Sequence, residues 1–344
     1  ITKIEMVFKR NRRQSERKIM REMNYRARIW VLIAVISAAM SEGGYVARDE
    51  EPLLSMDYYY ESCPNAESII NRKVSEWLEM DPTLGPALLR LHSHDFAVRG
   101  CDASILLNHE GSEREAHASN NLRGFDLIND IKYHIEKECP QTVSCADILA
   151  ASSRDATVFM GGTYWSIHYG RRDGRISLRE EADALPLLGN ETVTSMIEFF
   201  QSKGLTLVDL VVLSGAHTVG RTTCAAVQHR LYPHPDPSIA HPYYNYLSRK
   251  CRWATDYVAL DATTPHQFDS HYFSNLKNGM GLLSTDHILS TDSRTSPLVN
   301  ALASAPHVFS SQFASSMAKL GNVIDLQSYE NGEIRLQCDR VNDY

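Results

Sequence analysis

The stretch LLRLHSHDFAVRGCDAS, Leu88 to Ser104, constrains this chain more than any other. It follows the apolar run Pro86-Ala87-Leu88-Leu89 and sets a cation, two imidazoles and a carboxylate within six consecutive positions, Arg90 to Asp95. Arg90 and His94 are four apart, so a helix here places them on one face, one turn from each other. Asp95 points about a quarter turn away. Charged side chains are rarely fully buried unless paired, so polar groups this close to a core suggest chemistry. Three readings follow. The first is a surface helix with solvated charges. The second is a zinc site from His92, His94 and Asp95, for which a helix is poor geometry because residues two apart point about 200° apart. The third makes His94 a general base, with Arg90 beside it to stabilise developing negative charge.

With 344 residues, 43% of them hydrophobic, the chain can build one large core or two lobes. Residues 1–39 carry ten Lys and Arg against three Asp and Glu, which leaves −14 of the formal −7 on the remainder. That acidic balance excludes nucleic acid and an anionic membrane surface as partners.

Residues 23–39 have the pattern of a secretory signal. Arg26 and Arg28 precede the apolar run Ile29 to Ile36, which ends in Ser37-Ala38-Ala39 and is too short to span a bilayer. Met23 is its natural start, so residues 1–22 are expected to be a precursor extension or a gene-model artefact, and 40–55 a short leader of the mature chain. The folded domain is expected over 56–344, secreted to the cell exterior, the wall or the vacuole. Seven cysteines in an exported chain read as a disulfide framework with one thiol left over. None forms a C-x-x-C pair, which argues against a zinc ribbon or thioredoxin-type site. Asn190-Glu191-Thr192 is a glycosylation acceptor consistent with export.

From Tyr58 the chain reads as mostly helical. Asn65 caps a predicted helix from Ala66 to Met80, with Ile69, Val74 and Leu78 on its apolar side. Gly85-Pro86 opens the Arg90/His94 helix and Gly100 stops it. Gly124 to Glu138 carries Phe125, Leu127, Ile128, Ile131 and Ile135 at helical spacing. Ser144 opens a capping pattern with Asp147, and an apolar helix follows to Met160. Tyr164 to Leu188 reads as loop with short strands, its Arg171 and Arg172 making structural ion pairs. Helices follow over Thr192–Lys203 and Leu207–Leu213. Then comes Ser214-Gly215-Ala216-His217-Thr218-Val219-Gly220, whose small residues let something large and flat approach the imidazole. Asp261 to Asp269 is an oxygen-rich loop, and Phe309, Phe313, Met317 and Leu320 recur at core spacing.

These blocks occur in a known order. LLRLHSHDFAVRGCDASILL, LRGFDLI, CPQTVSCADILA, YGRRDG, VVLSGAHTVGRTTC, FDSHYFSNL and CDRVN resemble the secreted plant haem peroxidases of class III, over Tyr58 to Asn342. The resemblance implies a mainly α haem-peroxidase fold: two helical lobes enclosing one haem b, few short strands, two calcium ions and a monomeric chain. It implies reduction of hydrogen peroxide to water, with phenolic donors oxidised by one-electron steps.

Residue by residue, it implies Arg90 and His94 as the distal catalytic pair, His217 as the axial iron ligand and Asp286 as the carboxylate behind it. A distal calcium site is implied at Asp95, Val98, Gly100, Asp102 and Ser104, with Val98 and Gly100 giving carbonyls. A proximal site is implied at Thr218, Asp261, Thr264, Gln267 and Asp269, Gln267 through its carbonyl. Pro186 matches the substrate-site proline. The implied disulfides are Cys63 with Cys139, Cys145 with Cys338, and Cys224 with Cys251. Hard oxygen donors of this kind suit calcium better than zinc.

The sequence departs from the family in three places. Phe96 stands where a cysteine is usual, which leaves Cys101 free and removes a clamp worth roughly 2 kcal/mol on the loop-entropy model; a cysteine at position 96 is expected to restore it and raise thermal stability. Ser93 replaces a phenylalanine and is expected to open or wet the distal pocket. In EREAHASNNLR, Glu113 to Arg123, the asparagine that orients the distal histidine has no clear match; Ser119 or Asn120 could supply the acceptor. These departures support a second reading, a haem-binding relative with impaired turnover acting as a binding or structural protein. A third reading, a secreted calcium-binding module without haem, would show no Soret band after haem reconstitution.

Overall fold

The computed structural model describes residues 53–185, 189 and 191–343. Residues 1–52, which hold the expected extension, the signal and most of the 40–55 leader, lie outside the described residues, as do Pro186 and the acceptor Asn190; of the leader, Ser55 bridges to Tyr169.

The first lobe is built on α1 (Ala66–Met80), α2 (Leu84–Arg99), α3 (Phe125–Glu138) and α4 (Cys145–Phe159). Helix α4 is its axis: every residue from Cys145 to Thr157 is buried. Its small residues Ala146, Ala150, Ala151, Ser152, Ser153 and Ala156 let α1, α2 and α3 all pack against it. The Ser144 hydroxyl caps α4 by accepting the Asp147 N–H at 3.1 Å, as the capping pattern predicts. On α1 the buried set is Ile70, Val74 and Leu78, four apart, rather than one beginning at Ile69, which is only half-buried. Asn65 precedes α1 without capping it, because its amide donates to Glu138 on α3 at 2.9 Å instead. Helix α2 ends at Gly100, whose φ of +79° and close approach to the Val323 carbonyl exclude a side chain.

The Tyr164–Leu188 segment holds a short helix, α5 (Arg179–Asp183), and isolated bridges at Tyr169 and Asp173 in place of the expected strands. Arg171 makes the ion pair expected of it, 2.7 Å from Asp147 with both side chains buried; Arg172 makes none among the described residues. Then come α6 (Val193–Ser202) and α7 (Leu207–Ser214), each opened by a threonine, with a full capping box between Thr206 and Asp209.

A two-stranded antiparallel sheet, β1 (Arg221–Thr223) with β2 (Tyr257–Ala259), frames α8 (Gln228–Leu231) and α9 (His241–Lys250). The second lobe closes with α10 (His271–Lys277), α11 (Ser284–Thr291), α12 (Ser296–Ser304), α13 (Pro306–Gly321) and α14 (Leu326–Glu330). Phe309, Phe313, Met317 and Leu320 of α13 are buried as their spacing predicts; Phe309 stacks on Phe268 and meets Phe273 edge-on, and Phe313 meets Phe268 edge-on.

Three disulfides join Cys63 to Cys139, Cys145 to Cys338, and Cys224 to Cys251. The second spans 193 residues and ties the C-terminal tail to the start of α4. Cys101 is free and buried. No helix among the described residues is long and apolar enough to cross a membrane.

Candidate active site

Helix α2 presents Arg90, Ser93 and His94 together. The Arg90 guanidinium donates to the Ala118 carbonyl at 2.9 Å and the Asn120 carbonyl at 3.2 Å, so the loop after Glu113 holds the cation by its backbone. Neither Ser119 nor Asn120 hydrogen-bonds the His94 ring; the Ser119 hydroxyl is itself buried without a partner. His94 is buried, and burial, reinforced by the Arg90 charge, pushes its pKa down from 6.5 to about 3. The imidazole is therefore neutral at physiological pH. Ser93 turns its hydroxyl back onto the Arg90 carbonyl at 2.8 Å, which folds the short side chain against its own helix.

A 3₁₀ turn, Gly215–Thr218, directly after α7, carries His217. Its Nδ1 lies 2.8 Å from Asp286 Oδ1. Asp286 sits in the first turn of α11, where its other oxygen accepts the Leu283 N–H at 2.9 Å, and Tyr272 donates its hydroxyl to Oδ1 at 2.9 Å. Burial raises the carboxyl's pKa, but the charge and hydrogen bond of His217 outweigh it and the net shift is downward. Burial lowers the imidazole's pKa, and Asp286 more than offsets that. With Nδ1 committed to Asp286, Nε2 is the nitrogen left to face the adjoining space. Tyr272 is a participant that sequence reasoning missed; it stands in the aromatic pair Tyr272-Phe273, which reads simply as core.

The two sides lie close to each other. The Arg90 charge acts on both imidazoles, His94 and His217. The first turn of α2 abuts the stretch after His217, where a Cβ on Gly220 would meet Pro86 at 3.0 Å. The His217 side chain is 34% open to solvent although burial is the largest influence on it, and Arg90 combines exposure with desolvation in the same way. Groups that are open to solvent yet desolvated by the protein around them sit in a recess of the surface, not on a convex face. The glycines beside His217 serve packing more than access: a Cβ on Gly215 would meet the Phe309 ring at 2.4 Å.

Two oxygen clusters adjoin the two histidines. Asp95 accepts the Ala103 N–H at 3.0 Å through Oδ2, while Asp95 Oδ1, the Ser104 hydroxyl and both Glu113 oxygens are buried without partners. Orphaned oxygens around two buried carboxylates, Asp95 and Asp102, fit a hard cation. The Val98 carbonyl accepts the Lys203 ammonium at 2.8 Å, and the Gly100 carbonyl accepts the Asp102 N–H at 2.9 Å. On the other side the Thr218 hydroxyl lies 3.4 Å from Asp261 and 3.3 Å from Asp269, and Thr264 donates to Asp269 at 3.1 Å. Gln267 joins this loop through its N–H to the Thr264 carbonyl. Among the described residues no three Asp, Glu, His or Cys side chains converge as metal ligands, so the zinc reading gains no support. His92 is buried away from His94, under the influence of Arg171.

Residues 70–305 match the peroxidase family model, and the chain belongs to that family. It is a haem peroxidase of the plant class III group, an enzyme that reduces hydrogen peroxide. Among its relatives, Peroxidase 7 of Arabidopsis thaliana is 50% identical, covering 87% of this chain and 90% of that protein. Peroxidase 72 of Arabidopsis thaliana is 43% identical over 89% of this chain and 92% of its own length, and Peroxidase N1 of Nicotiana tabacum 41% over 83% and 89%. Nothing in these likenesses favours the reading as a relative with impaired turnover.

Proposed function

We propose that Arg90, His94, His217 and Asp286 form the catalytic centre of this peroxidase. Haem, when bound, supplies an iron that takes the peroxide oxygen and stores two oxidising equivalents. His217 would hold it through Nε2, and Asp286, by accepting the Nδ1 proton, gives that imidazole more anionic character and favours the higher oxidation states. Neutral His94 takes the proton from the near oxygen of hydrogen peroxide and returns it to the far one, which leaves as water. Arg90, always cationic, stabilises the negative charge that builds on the departing oxygen. The observation that carries this reading is the 2.8 Å pair of solvent-open His217 with buried Asp286, close enough to Arg90 for the guanidinium charge to act on the imidazole.

Asp95, Val98, Gly100, Asp102 and Ser104 would hold one calcium ion, and Thr218, Asp261, Thr264, Gln267 and Asp269 a second. Asp95 adjoins His94 and Thr218 adjoins His217, so each ion would anchor one catalytic histidine. Small phenols serve as reductants, with Pro186 beside their site, and the enzyme works as a secreted monomer, its domain spanning 56–344. Disulfides and the signal-like run support export. Absorption spectra of the purified protein before and after one equivalent of peroxide test the reading: a Soret band that shifts within the mixing time supports it, and a protein that binds no haem overturns it.

A further inference from the structure

Tyr243 and Tyr246 lie on α9 with their rings stacked, 6.1 Å between centroids and 11° between planes. Tyr246 is 41% exposed, whereas Tyr243 is buried in a core cluster that includes Leu282, with Leu283 packed against it. Leu283 in turn donates its N–H to Asp286. The charge on Asp286 also reaches the Tyr243 hydroxyl, adding to the burial that raises its pKa. A stacked aromatic pair thus leads from the surface to the core cluster against which Leu283 packs, the residue whose N–H holds the carboxylate behind His217. The Tyr243 hydroxyl is buried with no hydrogen-bond partner among the described residues.

We propose that Tyr246 is a surface oxidation site, connected through the Tyr243 ring to the His217 side of the haem pocket, at which phenol-bearing macromolecules too large for the pocket are oxidised. The proposal rests on His217 being the haem-holding residue. Peroxide supplies the oxidising equivalents, as in the established activity. One electron leaves Tyr246 by way of Tyr243 and reduces the haem side by one equivalent; the Tyr246 phenol proton goes to water. The Tyr246 radical then takes a hydrogen atom from a phenolic O–H of the macromolecule, which restores the tyrosine and leaves a phenoxyl radical on the donor. Two rounds, with two protons from solvent, complete the reduction of one peroxide to water. Tyr243 has no group to receive its proton, so it conducts without holding the radical.

The test compares free tyramine with dextran-grafted tyramine, the same phenol at two sizes, in haem-loaded wild type, Tyr246→Phe, Tyr243→Leu and Tyr243→Phe. After peroxide, a nitroso spin trap with peptide mass spectrometry locates the protein radical. The expected result is an adduct on Tyr246 in the wild type. Tyr246→Phe and Tyr243→Leu should lose the adduct and oxidise the dextran conjugate roughly tenfold more slowly, with free tyramine unaffected, while Tyr243→Phe, which keeps the ring, behaves as wild type. No adduct on Tyr246 in the wild type, or undiminished oxidation of the conjugate by Tyr246→Phe, overturns the relay. A wild type that fails on free tyramine overturns the haem-peroxidase reading beneath it.

Discussion

Asp286 cannot rotate away from His217: one oxygen lies 2.8 Å from Nδ1 and also receives the Tyr272 hydroxyl, while the other is held by the Leu283 N–H. The carboxylate is 1% exposed, so its charge is little screened where it acts on the imidazole. The ring's orientation and its donor strength are thereby set by a group that never touches the substrate.

Replacing Asp286 with asparagine keeps the shape and removes the charge. Loss of such a supporting partner typically costs about 10- to 100-fold in metal affinity or activity. We expect faster haem loss and slower reaction with peroxide, together with a lower iron–histidine stretching frequency by resonance Raman. An unchanged frequency shows that the carboxylate does not tune the ligand.

The pH response follows from the downward shifts of His94 and the neighbouring His92, both to about 3. As a base, His94 stays unprotonated through neutral pH, so the rate constant with peroxide should be flat from pH 7 to about 4 and fall below that. For stability the sign is equally defined. Between pH 6.5 and 3 the unfolded chain binds protons that the native histidines refuse, so their contribution is intact above 6.5 and declines as pH falls, by up to about 1.4 kcal/mol per pH unit for each. Urea unfolding at pH 7, 5.5 and 4.5 measures it; stability that rises on acidification rejects the shift.

Phe96 reverses an expectation drawn from sequence. Its buried ring packs edge-on against Phe199 and Phe200 of α6, with centroids at 6.2 and 6.4 Å, while the Cys101 thiol donates to the Leu320 carbonyl at 3.4 Å. Truncating a buried phenylalanine costs about 3–5 kcal/mol, more than the roughly 2 kcal/mol a small-loop disulfide returns. Phe96→Cys should therefore lower the melting temperature even under oxidising conditions. A rise, with loss of both free thiols, contradicts this.

Calcium removal probes the orphaned oxygens of Asp95, Ser104 and Glu113. A chelator should lower the melting temperature and slow the peroxide reaction, and added calcium should restore both. Protein that retains full activity while elemental analysis finds no calcium removes the ion from the mechanism.

The helices were legible because their signals are local, capping serines and threonines and apolar spacing; Arg90, His94 and His217 stand out as candidates through short ordered motifs, whereas Asp286 is reached only through the family resemblance. What escaped depends on three-dimensional neighbours. Nothing adjacent to Tyr272 says that its hydroxyl meets Asp286, and Phe96 reads as a missing cysteine until Phe199 and Phe200, a hundred residues on, are seen beside it. The choice between Ser119 and Asn120 was set up for side chains, whereas this loop uses its carbonyls, on Arg90. Where strands are expected between Tyr164 and Leu188 the described residues hold a short helix, whose carboxylates are gripped from outside: Glu181 takes two hydrogen bonds from Arg99 and Asp183 the His117 N–H.

Rapid mixing of haem-loaded protein with hydrogen peroxide, wild type against His94→Ala, bears most directly on the centre. Loss of the proton carrier should slow the reaction by about 10²- to 10⁴-fold while the resting Soret band, set by His217, persists. An unaltered rate in the variant would mean that His94 is not the base.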